Sequence, residues 1–380
     1  MQRKIFIMAK KMESGGTEVA LLNLLNELIK YQDVSITLGL LKKEGIYLKN
    51  IPEQVKIIEV LDKKQYLYLD KLTVKNITYQ TLKFKLICKL LRKKNIDKYE
   101  AILQNVQQQG EVYDIAIDFH GYGYIGTGYV VEKIKSNKKI IFIHDEKIDW
   151  LNSVETYINQ YDKIFCVSEA CERRVREIYP KYRDKLELFR NIMDSKKIIE
   201  LSKENIEEMK ENCPKLLTVG RLEYQKGYDL LLDVAKLLKD AAIEFKWYII
   251  GTGSLYENIS KEIRVRELSN NVILLGMKEN PYPYFLKCDI YVQPSRHEGY
   301  GIAIAEARIL EKPIIVTNLD CVREQIKDSE NGLLCEFDKI DFYNKIKLLI
   351  NDENLKNKLI ENLKRANKEW DNDIKKLLEV

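Results

Sequence analysis

Two cations stand five residues apart, where a short apolar run ends and a helical pattern begins. Arg221 follows the run Leu216–Val219, and Lys226 precedes the pattern that starts at Tyr228. Arginine binds a phosphate through paired hydrogen bonds, whereas lysine acts as a point charge. Solvated surface charge is the more common role of each residue type. The spacing nevertheless predicts a candidate pyrophosphate site.

Two glutamates eight positions apart form a second candidate. Glu298 lies in a glycine-bearing loop, and Glu306 lies among small apolar residues of the helical pattern that follows. A carboxylate is costly to bury without a partner. It can accept hydrogen bonds from two neighbouring hydroxyls, so ribose or hexose is a suitable ligand. The alternative for Glu306 is a helix glutamate that faces solvent.

Glycines and histidines complete the candidate set. Gly15 and Gly16 precede a helical pattern, where the backbone can approach a diphosphate closely and helix N–H groups favour anions. An ordinary strand–helix turn is the alternative. His120 and His144 each follow an apolar run, so both are expected at the carboxyl edge of one parallel sheet. No carboxylate or cysteine is spaced to join them around a metal.

Short apolar runs that alternate with helical patterns must position these residues. In the first half the expected strands are Ile5–Met8, Val34–Leu40, Val55–Val60, Ile115–Phe119, Ile140–Ile143 and Ile164–Val167. The alternation restarts after residue 195, with strands expected at Leu216–Val219, Phe245–Ile250, Val272–Leu275, Ile290–Gln293 and Ile314–Thr317. Such alternation indicates parallel sheets flanked by helices. The prediction is an α/β fold of two doubly wound, Rossmann-like domains.

A length of 380 residues also favours two domains, because a typical domain has about 100–200 residues. We expect an N-terminal domain over 1–194 and a C-terminal domain over 195–365. A terminal helix over 366–380 is expected to pack back toward the N-terminal domain. Asp371 and Asp373 of that helix form a D-x-D sequence, which we interpret as solvated charge rather than as a metal site.

Composition excludes several classes of protein. With 45% hydrophobic and 32% charged residues, the chain has the composition of a soluble globular protein. No apolar run reaches the ~18–20 residues that span a bilayer, and the first one is too short for a signal peptide. We therefore expect a cytoplasmic protein. Seven scattered cysteines predict reduced core thiols, and a net charge of +5 does not by itself indicate nucleic acid.

The stretch 83–94 has a separate interpretation. Its sequence, KFKLICKLLRKK, places apolar residues at helical spacing and fills the other face with lysine and arginine. Such a helix could lie on an anionic membrane surface. The alternative is a helix that packs on the core and exposes a basic face. Membrane contact would make the protein peripheral on the inner face of the plasma membrane.

Four segments of the C-terminal half resemble the family-four retaining glycosyltransferases, which are group 1 glycosyltransferases with the GT-B fold. They are LLTVGRLEYQKGYDLLL, WYIIGTGSL, VILLGMKENPYPYF and IYVQPSRHEGYGIAIAEA. The N-terminal half matches mainly through SGGTEVALLNLL, IFIHDE and FCVSEA. The resemblance implies two domains that face a cleft and a nucleotide-sugar donor, either a UDP- or a GDP-sugar. It implies no cofactor and no metal.

The resemblance also implies roles at the matching positions. Arg221 and Lys226 would hold the donor diphosphate and stabilise the leaving group. Glu306 would bind the ribose, and Glu298 would face the donor sugar and take part in catalysis. The other positions that it implies for donor binding are Gly15, Gly16, Gly253, Leu275, Lys278, Gly299, Tyr300 and Gly301.

His144 matches the active-site histidine of the family, and His120 is the alternative, at an acceptor or cleft position. The implied reaction moves a hexose or N-acetylhexosamine to a glycan or lipid-linked acceptor in capsular, exo- or lipopolysaccharide synthesis. The alternatives are a non-catalytic, glycosyltransferase-like partner subunit and a sugar-nucleotide epimerase of the same fold. Nucleic-acid binding is disfavoured, because the basic stretch lacks interleaved aromatic residues.

Overall fold

The computed structural model describes residues 2–62, 65–66, 98–120, 123–366 and 373–380. The stretch 83–94 lies outside these residues, as does Asp371, so membrane contact stays a prediction from sequence. Within the described ranges, no helix has the length and apolarity needed to cross a bilayer.

The first domain is built on a seven-stranded parallel sheet with the order β3-β2-β1-β4-β5-β6-β7. Its apolar strands are covered on both faces, which is the usual environment of a parallel sheet. The strands are β1 (Arg3–Ala9), β2 (Val34–Leu40), β3 (Lys56–Glu59), β4 (Val112–Asp118), β5 (Lys135–Ile143), β6 (Lys163–Cys166) and β7 (Leu186–Leu188). The helices are α1 (Gly16–Leu28), α2 (Lys98–Gln104), α3 (Tyr124–Lys133), α4 (Glu155–Ile158) and α5 (Glu169–Ile178).

The second domain repeats this architecture with six parallel strands in the order β10-β9-β8-β11-β12-β13. The strands are β8 (Lys215–Val219), β9 (Lys246–Ile250), β10 (Val272–Gly276), β11 (Ile290–Gln293), β12 (Ile314–Thr317) and β13 (Leu333–Cys335). The helices, of which only the first precedes β8, are α6 (Ser195–Leu201), α7 (Tyr228–Asp240), α8 (Tyr256–Val265), α9 (Tyr282–Lys287), α10 (Ile302–Ile309), α11 (Asp320–Arg323), α12 (Lys339–Asn351) and α13 (Glu353–Ala366).

Each sheet reverses its strand order once, and these switch points are where doubly wound sheets bind ligands. In the first domain the switch lies between β1 and β4, and in the second it lies between β8 and β11. The loops beyond these strands carry Gly15 and Gly16 on one side and Arg221, Lys226 and Glu298 on the other. The two doubly wound domains predicted from the sequence are confirmed.

The chain crosses between the domains through residues 189–194 and comes back at its end. A last helix, α14 (Ile374–Leu378), buries Ile374 and Leu377 and contacts α1. The backbone N–H of Arg190 donates to Asp373 Oδ2 at 2.8 Å. Asp373 is only 8% exposed. Its interpretation as solvated charge was wrong, because this carboxylate fixes the returning chain to the segment between the domains.

Two strands and one helix differ from the sequence expectation. The three-residue strands β7 and β13 were not predicted, because such short strands show no periodic pattern. The residue pattern of Leu151–Gln160 predicts a helix, whereas the structure has a 3-10 helix over Asp149–Val154 followed by the single turn α4.

Candidate functional site

Both switch points open onto one cavity between the domains. Its volume is about 530 Å³, within the ~300–1,000 Å³ typical of small-molecule sites. Its wall is formed by the start of α1, the end of β5 and the loops that follow β8 and β11. The predicted site residues that line it are Gly15, Gly16, His144, Arg221, Lys226, Lys278, Glu298, Gly299, Tyr300, Gly301 and Glu306.

A buried ion pair joins the two loops of the second domain. Lys226 Nζ lies 2.7 Å from Glu298 Oε1, and the two side chains are only 16% and 6% exposed. The Ser295 hydroxyl donates to the same oxygen at 2.6 Å. Glu298 Oε2 makes no hydrogen bond to any described residue. That oxygen can therefore accept from a ligand hydroxyl.

The carboxylate of Glu298 is held from behind by a chain of buried side chains. The Gln293 amide donates to Ser295 Oγ at 2.8 Å, and the Tyr291 hydroxyl donates to Gln293 Oε1 at 2.6 Å. Supporting hydrogen bonds of this kind fix a functional side chain before its ligand arrives. The sequence analysis missed these residues, although Ser295 precedes Glu298 by three positions in one loop.

Positive charge converges on the cavity from both domains. Arg221 is exposed on the cavity wall and makes no ion pair with any described residue. Helices α1 and α10 begin next to each other, since a Cβ on Gly16 would lie 3.4 Å from Ile302 Cγ1. Each helix start presents unpaired N–H groups and a partial positive charge. This arrangement favours an anion with more than one charge.

Glu306 is buried beneath the same wall. It is 4% exposed, and its Oε1 accepts a hydrogen bond from the Tyr282 hydroxyl at 3.1 Å. Burial raises its pKa to about 8, and the Tyr282 bond opposes this only in part. The second oxygen has no partner among the described residues. Tyr282 was not predicted, because it reaches Glu306 from the start of a different helix, α9.

Replacing Glu306 by glutamine is expected to stabilise the ligand-free protein increasingly as the pH rises. In the folded protein Glu306 keeps its proton up to about pH 8, whereas in the unfolded chain it releases the proton at the usual pKa of a glutamate. The free energy of unfolding of the wild-type protein therefore falls as the pH rises between these two pKa values. Glutamine has no such charge. The melting temperature of Glu306→Gln minus that of wild type should therefore grow from about pH 5 to pH 9. Glu177→Gln, an exposed control, should show no such growth, and a constant difference for Glu306→Gln would contradict the burial argument.

The two histidines occupy different positions. His144 is 8% exposed and lines the cavity, and its Nε2–H donates to Phe119 O at 2.6 Å. Burial lowers its pKa to about 4, so the ring is neutral at physiological pH and Nδ1 keeps a lone pair for a ligand hydroxyl. His120 lies beside it but does not line the cavity.

Glycine is required at position 299 by the contact between the domains. A Cβ there would lie 1.6 Å from His144 O and 3.2 Å from Asp145 Cα, both backbone atoms of the other domain. At this point of the cavity the two domains therefore meet backbone against backbone. They are also joined by Glu324, whose two carboxylate oxygens accept from the N–H groups of Glu169 and Ala170 at the start of α5, each at 2.9 Å.

Gly253 and Leu275, two positions implied for donor binding, do not line the cavity. A Cβ on Gly253 would lie 2.5 Å from Leu222 O, so this glycine packs against the loop that carries Arg221. Lys278 lines the cavity, but its Nζ lies 2.7 Å from Glu208 Oε1. Across the described part of the chain, no group of three or more His, Cys, Asp or Glu side chains is arranged to hold a metal ion.

Comparison with known proteins finds a family match in the second domain. Residues 200–366 match the sequence model of the family described as glycosyl transferases group 1. This segment belongs to the group 1 glycosyltransferases. It contains Arg221, Lys226, Glu298 and Glu306, so the resemblance drawn from the C-terminal motifs is confirmed.

Relatives of this glycosyltransferase segment include an uncharacterized glycosyltransferase of Methanocaldococcus jannaschii. It is 38% identical over 157 residues, which cover 40% of this chain and 43% of the relative. The N-acetylgalactosamine-N,N'-diacetylbacillosaminyl-diphospho-undecaprenol 4-alpha-N-acetylgalactosaminyltransferase of Campylobacter jejuni is 30% identical over 174 residues, 45% of this chain and 46% of the relative. The chain thus spans about half the length of these curated relatives.

The fold resembles solved structures over nearly its whole length. HepE of Anabaena, crystallised with UDP and glucose, superposes with a TM-score of 0.69 at 16% sequence identity. The match covers 96% of this chain and 94% of that chain. The predicted GT-B fold is therefore confirmed.

Proposed function

We propose that this chain is a retaining glycosyltransferase that moves a sugar from a UDP- or GDP-sugar to a glycan or lipid-linked acceptor in surface-polysaccharide synthesis. One observation carries the proposal: Arg221 and Lys226 face the start of α1 across a cavity of about 530 Å³. The crystallised HepE complex with UDP and glucose, and the diphospho-undecaprenol named for the Campylobacter jejuni relative, support the two substrate classes.

The geometry gives each residue a task in this reaction. Breaking the bond between the anomeric carbon and the diphosphate leaves negative charge on the leaving group. Arg221, Lys226 and the N-terminus of α1 would stabilise that charge, and preorganised groups do so without the cost of reorienting water. Glu306 would accept from the ribose hydroxyls, and Glu298 Oε2 from the donor sugar. A lipid-linked acceptor would bring the chain to a membrane, where we propose that 83–94 contacts the surface.

A thermal-shift screen of the purified protein against nucleoside diphosphates and their sugars tests the donor site. A ligand at about 100 times its Kd adds ~2.7 kcal/mol to the free energy of unfolding. We expect a rise in melting temperature with UDP or GDP and one of its sugars, largely lost in Lys226→Ala. Lys236→Ala, which removes a lysine paired with Asp240 on the exposed surface, should keep the shift.

Proton NMR of the transferred sugar then tests retention of the anomeric configuration. An inverted product would contradict the retaining mechanism but leave the donor site standing. A folded protein that responds to no nucleotide would favour the non-catalytic partner subunit instead.

A further inference from the structure

A carboxylate with no assigned role lies in the first turn of α1. Glu18 follows Gly16 by two positions, and its side chain is only 17% exposed. Burial raises its pKa to about 7, although a hydrogen bond from its own backbone N–H and the charge of Arg221 oppose this. Arg221 belongs to the other domain and lines the cavity. The carboxylate thus lies close to the proposed diphosphate site.

A buried hydrogen-bond donor without an acceptor stands next to this carboxylate. The backbone N–H of Lys10 donates to His120 Nδ1 at 2.6 Å, so the neutral ring carries its proton on Nε2. Burial lowers the pKa of His120 to about 3, which keeps the ring neutral at physiological pH. Nε2 is buried and has no hydrogen-bond partner among the described residues. A buried donor left unpaired costs free energy.

The two groups are close enough for a single oxygen atom, placed to one side of the line between them, to bridge them. His120 Nε2 and Glu18 Oε1 are 3.9 Å apart, too far for a direct hydrogen bond. An oxygen about 2.8 Å from each atom would accept from Nε2–H and donate to the carboxylate. A hydroxyl group can do both at once, whereas a phosphate oxygen would be repelled by the carboxylate.

We propose that Glu18 and His120 together bind a hydroxyl group of the sugar acceptor directly beside the cleft, on its N-terminal side. Neither residue lines the cavity itself, but Glu18 lies between Thr17 and Val19, which do. The proposal rests on the proposed function, which places the donor diphosphate at Arg221. His120 adjoins His144, which lines the cavity, and Glu18 interacts electrostatically with Tyr47, which lines it too. The bound hydroxyl would therefore lie at the N-terminal edge of the cavity.

Kinetics of matched variants test this inference. Glu18→Gln and His120→Phe should each raise the KM for a p-nitrophenyl hexoside acceptor about tenfold, since a lost hydrogen bond of ~1.4 kcal/mol weakens binding by that factor. The KM for the sugar nucleotide should not rise in either variant. His120→Gln, which keeps an N–H near the position of Nε2, should recover part of the loss. Glu27→Gln makes the same change at the other end of α1, where Glu27 pairs with Lys30, and its kinetics should equal those of wild type.

Hydrolysis of the sugar nucleotide without acceptor is measured in parallel, because water then takes the place of the acceptor hydroxyl. Both substitutions should lower the kcat of hydrolysis. This assay needs no acceptor sugar, so it tests the site even if the protein does not use a p-nitrophenyl hexoside. The chain has three histidines, so the Nε2 resonance of His120 can be followed by ¹⁵N NMR. It should shift when the hexoside is added to the UDP- or GDP-bound protein.

Two outcomes overturn the inference separately from the proposed function. If the variants fold and bind the sugar nucleotide, but their acceptor KM and their rate of hydrolysis equal those of wild type, the hydroxyl site alone is rejected. Lower melting temperatures with unchanged kinetics would assign the gap to a structural water. Failure of wild-type protein to bind any sugar nucleotide would instead reject the proposed function.

Discussion

Replacing Lys226 by alanine is expected to lower turnover of the donor sugar by about 10²–10³-fold, the usual loss when one preorganised group that stabilises developing charge is removed. The same change leaves Glu298, which is 6% exposed, without its cation. Removing one partner of a buried pair destabilises a protein by about 3–5 kcal/mol, and the partial exposure of Lys226 places this case near the lower end. Initial rates and urea unfolding measure the two effects.

A double variant separates the two effects of this substitution. In Lys226→Ala with Glu298→Gln the uncompensated charge is gone, so stability should recover much of its loss while turnover stays low. Lys236→Ala removes an exposed lysine of the same domain and should change neither quantity by much. Near-native turnover of Lys226→Ala at limiting donor concentration would contradict the site assignment.

Gly299→Ala is expected to lower turnover by about 10²-fold, because a misplacement of about 1 Å at a reacting centre has this effect. The added methyl group would lie 1.6 Å from His144 O, and neither backbone can yield without moving one domain away from the other. The strands of both sheets, which carry much of the buried core, lie outside this contact, so most of the stability should remain. Small-angle X-ray scattering should show a larger radius of gyration than in wild type.

Gly110→Ala is the matched control for this prediction. Gly110 is exposed, and a Cβ there would meet no atom within 4 Å. Its turnover and radius of gyration should equal those of wild type. Wild-type turnover in Gly299→Ala would show that the reaction does not need the observed approach of the two domains.

The fold was predictable because parallel sheets leave a strong pattern. Strands covered on both faces are continuous apolar runs, and β2, β11 and β12 have the predicted bounds. The strands β7 and β13 were missed because they are three residues long.

The candidate site was predictable where its residues directly follow strand ends. Arg221, Lys226, Glu298 and His144 all follow strand ends, and the carboxyl ends of parallel strands meet at one edge. Tyr282 and Glu18 were missed because their partners come from distant parts of the chain. No pattern within either segment reports such a contact.

The return of α14 to the first domain has a mechanical consequence. The chain passes between the domains at 189–194, and its end returns to that crossing at Asp373, which the hydrogen bond from Arg190 holds in place. A connection confined to one edge in this way favours rotation of one domain about that edge over sliding or twisting of the domains against each other. Any relative rotation of the two domains should therefore return Arg221 to the same place opposite Gly16.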